Sequence, residues 1–170
     1  MIPVSQIKAT AKLRPRGKIF EEFEVGETIN HHWGRTITEA DAIGFSSLTM
    51  SYNPMYFNIE CAVEHGHPGL VVNPHLAFNI VLGLSVEDCS EGVAGPFLSV
   101  LDLTYHQPVY VGDTLTARST TVSKRVTDGD QNKGVITWYT EGYNQRAEKV
   151  IDFHRSNLSD FAAARRMRGL

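Results

Sequence analysis

The chain has 170 residues, 42% hydrophobic and 21% charged, with a formal net charge of −3, the profile of one soluble domain able to bury a core. That balance excludes the basic stripe of a nucleic-acid binder, and no apolar run approaches the roughly 20 residues that cross a bilayer, so neither nucleic acid nor membrane is an expected partner. Cys61 and Cys89 are too few for a disulfide framework and too far apart for a Cys-x-x-Cys site, which points to a reducing cytoplasm.

Residues 1–17 read as a basic N-terminal arm without the apolar core of a signal peptide, residues 18–158 as one domain and 159–170 as a basic tail. After FEEFEVGE, the stretch ETINHHWGRTIT is a strand candidate. Thr38 with Asp41 forms a capping box that opens a helix from about Glu39 to Ser47, expected to bury Ala42, Ile43 and Phe45. The loop TMSYNPMYFN (49–58) follows, with no carboxylate and no histidine, then a helical turn around Ile59–Glu64 and a break at Gly66-His67-Pro68-Gly69. His65 and His67 have two-residue spacing, but with only Glu64 beside them no metal site is assigned.

The strongest helix signal is NPHLAFNIVLGLSV. Asn73 is a good N-cap and Pro74 suits the first helical position, where its missing N–H costs nothing. Leu76, Ala77, Ile80, Val81 and Leu84 recur at helical spacing, predicting a largely buried helix over about Pro74–Ser85. Gly83 inside it suggests close approach of a ligand or another backbone. From Pro96 onward four segments alternate with period two, with hairpin turns at Asp128-Gly129 and Gln145-Arg146-Ala147. One strand, a central helix and about four antiparallel strands make the class α+β, a long helix wrapped by a curved antiparallel sheet. A sheet of this size leaves edges uncovered, so two chains are expected to pair through their sheets.

These residues resemble the MaoC-like (R)-enoyl-CoA hydratases and dehydratases of the hot-dog fold, from about Gly17 to Asn157. GRTITEADAIGFSSLT is similar to the family's entry strand and first helix. SYNPMYFNIECA stands where the family has Gly-Asp-x-Asn-Pro-x-His-x-Asp-x-x-x-Ala. GLVVNPHLAFNIVLGLSV matches its central helix, and HQPVYVGDTLTARS its Pro-Val-x-x-Gly-Asp-Thr strand pair. The Val-Val-Asn helix entry, GLSVEDCS and EGYNQ are similar to a narrower branch acting on short, branched or dicarboxylic enoyl-CoAs such as mesaconyl-CoA or itaconyl-CoA. The resemblance implies an acyl-CoA thioester as partner, CoA only as part of the substrate and no separate cofactor. It also implies a homodimer, a dimer of dimers or pairing with a second hot-dog chain.

In that family an aspartate and a histidine activate water, and a backbone N–H at the central helix holds the thioester oxygen. Here those positions are Ser51, Tyr56 and Pro74. Tyr56 is a proton donor rather than a base at neutral pH. His75, in the first turn of the helix, is favoured neutral by the helix dipole, and its backbone N–H could replace the missing amide. The candidate catalytic set is therefore Tyr56, His75, Asn53 and Ser51, with Asn73, Phe57, Phe78 and Gly83 as substrate contacts. Plainer roles stand beside each: Asn73-Pro74 as a helix start, His75 as a helix-end group, Tyr56 as an apolar plug, Asn53-Pro54 as turn chemistry. Arg118, Lys124 and Arg125 are either CoA-phosphate contacts or solvated strand residues, and Tyr105-His106 before a proline reads as structural. The reactions open to such a site are enoyl-CoA hydration, another acyl-CoA reaction such as thioester hydrolysis, or non-catalytic binding that completes a partner's site.

Overall fold

The computed structural model describes residues 3, 6, 17–91, 95–130 and 132–162. A 3-10 turn, Phe20–Glu22, precedes strand β1 (Thr28–Thr36), helix α1 (Glu39–Leu48), a second 3-10 turn (Pro54–Tyr56) and helix α2 (Ile59–Glu64). Helix α3 (Pro74–Cys89) and strands β2 (Phe97–Tyr105), β3 (Thr114–Val126), β4 (Lys133–Tyr143) and β5 (Lys149–Asp160) complete it. The strands form one antiparallel sheet in the order β1-β3-β4-β5-β2, so the chain's first two strands are its edges. The expected arm lies almost wholly outside the described residues, and β5 runs on into the expected tail.

Local chemistry accounts for the helix starts. Asp41 N–H donates to Thr38 Oγ1 at 3.2 Å and Thr38 N–H to Asp41 Oδ2 at 2.9 Å, closing the capping box of α1. That short helix buries Ala42 and Ser46, while Ile43 and Phe45 stay half-buried. Asn73, with Pro74 at the first position, opens α3 as its residue types demand. The helix runs one turn past Ser85, to Cys89.

Helix α3 lies against β1, β3 and β4. Leu76, Ala77 and Val81 of α3 meet Leu115, Ala117, Ile151 and Phe153 of the sheet in the main core. Close approach occurs at Gly142 on β4. A Cβ there would stand 2.5 Å from Val81 Cγ2 and 2.7 Å from Ile151 Cγ2, so only glycine lets helix and strand meet. No other backbone approaches Gly83. It is exposed, with nothing within 4 Å of an added Cβ, because α3 keeps one face open.

At the far end of α3 the core turns polar. His31 Nδ1 bonds Asp88 Oδ2 at 2.8 Å, His31 Nε2 bonds Ser119 Oγ at 2.9 Å, and Ser119 meets Thr140 at 2.9 Å. Arg155, 1% exposed, donates to Ser85 O and Ser90 Oγ, both at 3.2 Å, and lies over the Trp138 ring. On the opposite face of the sheet, burial alone would raise Glu141, but hydrogen bonds from Arg118, Lys149 and Tyr143 outweigh it and hold its carboxyl at about 2.

A candidate active site at the start of the central helix

The loop between α1 and α2 is built on side-chain caps. Asn53 Oδ1 accepts Met55 N–H at 3.1 Å and so shapes the 3-10 turn that carries Tyr56. Asn58 Oδ1 accepts Glu60 N–H at 3.0 Å and starts α2. Ser51 sits half-buried just before the turn, its N–H donating to Ser46 O at 2.9 Å. Tyr52 and Phe57 face each other across this loop at 6.0 Å. The loop is tied to the segment leading into α3, since Val71 N–H donates to Met55 O at 3.2 Å. That segment is in turn held by Val72 N–H to Val109 O at 2.9 Å.

At the start of α3 the donors are already engaged. Pro74 has none, and His75 N–H donates to Asn73 Oδ1 at 3.0 Å. Leu76 N–H donates to Asn73 O at 2.9 Å. The backbone donor that sequence reasoning offers to a thioester oxygen is therefore spent on the cap. One donor is left over: Asn73 is 1% exposed and its Nδ2 has no hydrogen-bond partner. A buried unmatched donor costs about 1–3 kcal/mol, so this amide is free to take a partner beside the helix start.

Its chain neighbours Val72 and Pro74, with Ala77, Tyr105, Pro108 and Val150, line a cavity of about 280 Å³ that Asn73 itself does not line. Its lining is mostly apolar. At the rim, the Tyr105 hydroxyl stands 3.3 Å from His75 Nδ1. Burial pushes the phenols of both Tyr56 and Tyr105 up, and Tyr56 raises Tyr105 further, so both hold their protons at neutral pH.

The structure thus gathers His75, Tyr105, Tyr56 and Asn73 around the helix start, with Asn53 and Ser51 on the loop that sets Tyr56. Phe78 is half-buried and packs edge-on against Phe153 of the core at 5.0 Å, and Phe57 packs with Tyr52. Gly83 faces a shallow groove with Trp33, Arg35 and Asn79, about two and a half turns along the helix from Pro74. Tyr105 is the residue that sequence reasoning missed. The signal was its place as the last residue of the edge strand, which only the pairing of β2 with β5 brings to His75. Arg118 is ion-paired to Glu141 at 2.6 Å, and Lys124 donates to Phe23 O at 2.8 Å. His65 donates to Cys61 O and His67 bonds the Tyr110 hydroxyl, and among the described residues no three His, Cys, Asp or Glu side chains converge on a metal position.

Comparison with known proteins supplies the frame for this geometry. The family model described as mesaconyl-CoA hydratase matches residues 4–166. The chain is similar to a mesaconyl-CoA hydratase of Haloarcula marismortui, 32% identical over 149 residues, covering 87% of this chain and 41% of that protein. It is also similar to the crystal structure of a putative MaoC domain protein dehydratase from Chloroflexus aurantiacus, with a TM-score of 0.81 and 31% identity over 90% of this chain and 43% of that one. A Mycobacterium tuberculosis protein with a double hot-dog fold superposes with a TM-score of 0.76 at 22% identity, covering 86% of this chain and 45% of that one. The fold is therefore a single hot-dog, and the chain spans about two-fifths the length of the mesaconyl-CoA hydratases it matches.

Proposed function

We propose that this chain, which belongs to the mesaconyl-CoA hydratase family, adds water to or removes it from a short or branched enoyl-CoA thioester at the cavity beside the start of α3. The observation that carries the reading is the convergence of Tyr56, His75 and Tyr105 at that helix start, in a chain whose matched relatives include a mesaconyl-CoA hydratase and a β-methylmalyl-CoA dehydratase. A cavity of about 280 Å³ lies at the small end of ligand pockets, which run from roughly 300 to 1,000 Å³, and so favours a short acyl group.

In the hydration direction, water oxygen bonds the β-carbon while its proton passes to the His75 imidazole. The carbon–carbon double bond opens, and Tyr56 O–H delivers a proton to the α-carbon. The imidazolium then returns its proton to the Tyr56 phenolate, so the site ends as it began. Asn53 acts through the turn it caps, placing Tyr56, and the Ser51 hydroxyl holds the water. Asn73 Nδ2, the unmatched donor, is the group left to meet the thioester oxygen as negative charge develops there. Both cysteines are unpaired, which supports a cytoplasmic setting, and no helix among the described residues is long and apolar enough to cross a membrane.

The active unit pairs two hot-dog domains through β2. This strand is a sheet edge that leaves Phe97 46% and Leu101 58% exposed, and matched relatives are more than twice as long. Such an edge is a template for strand pairing. A homodimer, or pairing with a second hot-dog chain, would cover it. A second reading, a subunit without chemistry of its own that completes a partner's site, is favoured by the serine and tyrosine at the dyad positions. Turnover separates the two. Purified chain given mesaconyl-, itaconyl- and crotonyl-CoA should hydrate at least one, and a chain inactive on all three but retaining a CoA species through native mass spectrometry would support the second reading.

A further inference from the structure

Strand β2 ends on Tyr105, whose hydroxyl oxygen is 3.3 Å from His75 Nδ1, with the two rings 6.3 Å apart and nearly perpendicular at 81°. Tyr105 also forms part of the cavity wall. We infer that Tyr105 is a positioning residue of this site: its phenol oxygen accepts the Nδ1–H of His75 and leaves Nε2 as the nitrogen that takes a proton. The inference rests on the reading above that His75 is the proton acceptor.

A neutral imidazole carries one proton, and the partner of one ring nitrogen decides which nitrogen holds it. Left alone, imidazole favours the Nε2–H form, which would turn the acceptor lone pair towards Nδ1. Either atom of this pair can be the donor, and in the inferred arrangement the Tyr105 oxygen accepts through a lone pair, which holds the Nδ1–H form against that preference. Burial, with Tyr56 adding to it, pushes the Tyr105 phenol up, so the oxygen acts as a neutral hydroxyl and not as a phenolate that would hold the imidazole charged. When Nε2 takes a proton, the Nδ1–H···O bond becomes charge-assisted and strengthens, which favours the imidazolium at the moment it forms. His75 is also steadied from behind, since Asn79 Nδ2 donates to its carbonyl at 2.7 Å.

The test is the tautomer of His75 in the ¹⁵N-labelled full chain, read from long-range ¹H–¹⁵N correlations and assigned with His75→Gln. The expected result is Nδ1–H in the natural protein and a swing to Nε2–H in Tyr105→Phe, with thermal unfolding intact. Turnover of the best enoyl-CoA substrate should then fall about tenfold or more in kcat, with KM within about twofold. An Nε2–H tautomer in the natural protein, or a tautomer that Tyr105→Phe leaves unaltered, overturns the inference even in an active enzyme. A chain inactive on every enoyl-CoA but with a Tyr105-dependent Nδ1–H form removes the hydratase reading and keeps the hold of Tyr105 on His75.

Discussion

The two ends of α3 carry similar numbers of polar side chains and put them to opposite uses. At the C-terminal end His31, Ser119, Thr140 and Arg155 are buried and bonded to one another or to the helix backbone. At the N-terminal end His75 and Tyr105 are exposed and Tyr56 partly so, and Asn73 keeps a donor without a partner. Polar groups bonded to one another in a low-dielectric interior hold a fold together even where single atoms, Arg155 Nε and Trp138 Nε1, go without a partner, whereas exposed polar groups near a cavity are free to meet something else. The helix is anchored at one end and offered to a ligand at the other.

Arg155→Ala should break this contrast most severely. It removes a fully buried side chain and its bonds to Ser85 and Ser90, leaving a void beside Trp138, and should cost about 3 kcal/mol or more in urea unfolding. A loss below about 1 kcal/mol would show that this end does not anchor the helix. Gly142→Ala, at the point where α3 meets β4, forces a methyl group into Val81 and Ile151 and should cost about 1–3 kcal/mol in the same measurement. Asn73→Ala removes the cap at the open end, for about 1 kcal/mol. Asn73→Ser should recover most of that stability through its hydroxyl cap but not turnover, because it restores the cap and not the Nδ2 donor. Tyr56→Phe and His75→Ala should change unfolding least, within about 0.5 kcal/mol, as expected of half-exposed groups outside the core.

Much of this architecture was legible from local chemistry. The capping box of α1, the Asn-Pro start of α3 and the period-two strands each follow from near neighbours in sequence, and the element order leads to a hot-dog domain. What local rules missed depends on distant partners. Gly83, inside the helix, offered close approach to a ligand or a backbone, and the backbone contact is made instead by Gly142 on β4, some sixty residues away. The role of His75 was read from its place at a helix start. Its backbone N–H proved to be taken by Asn73 and its ring to face Tyr105, a residue thirty positions on that reads as an ordinary strand end. Phe78, apolar at a plausible spacing for a ligand wall, is half-buried and packs on Phe153 of β5, a partner the local sequence does not show.

The central claim is that the open end of α3 performs proton transfer with Tyr56 and His75 in place of a carboxylate and a histidine. Its most direct test is single-turnover hydration of mesaconyl-CoA by the natural chain, Tyr56→Phe and His75→Ala, each shown to be folded by circular dichroism. The account predicts that each variant loses at least about tenfold in the chemical step, a threshold set below the roughly 100- to 10,000-fold that a general acid or base contributes. A loss of less than about tenfold in both would contradict it.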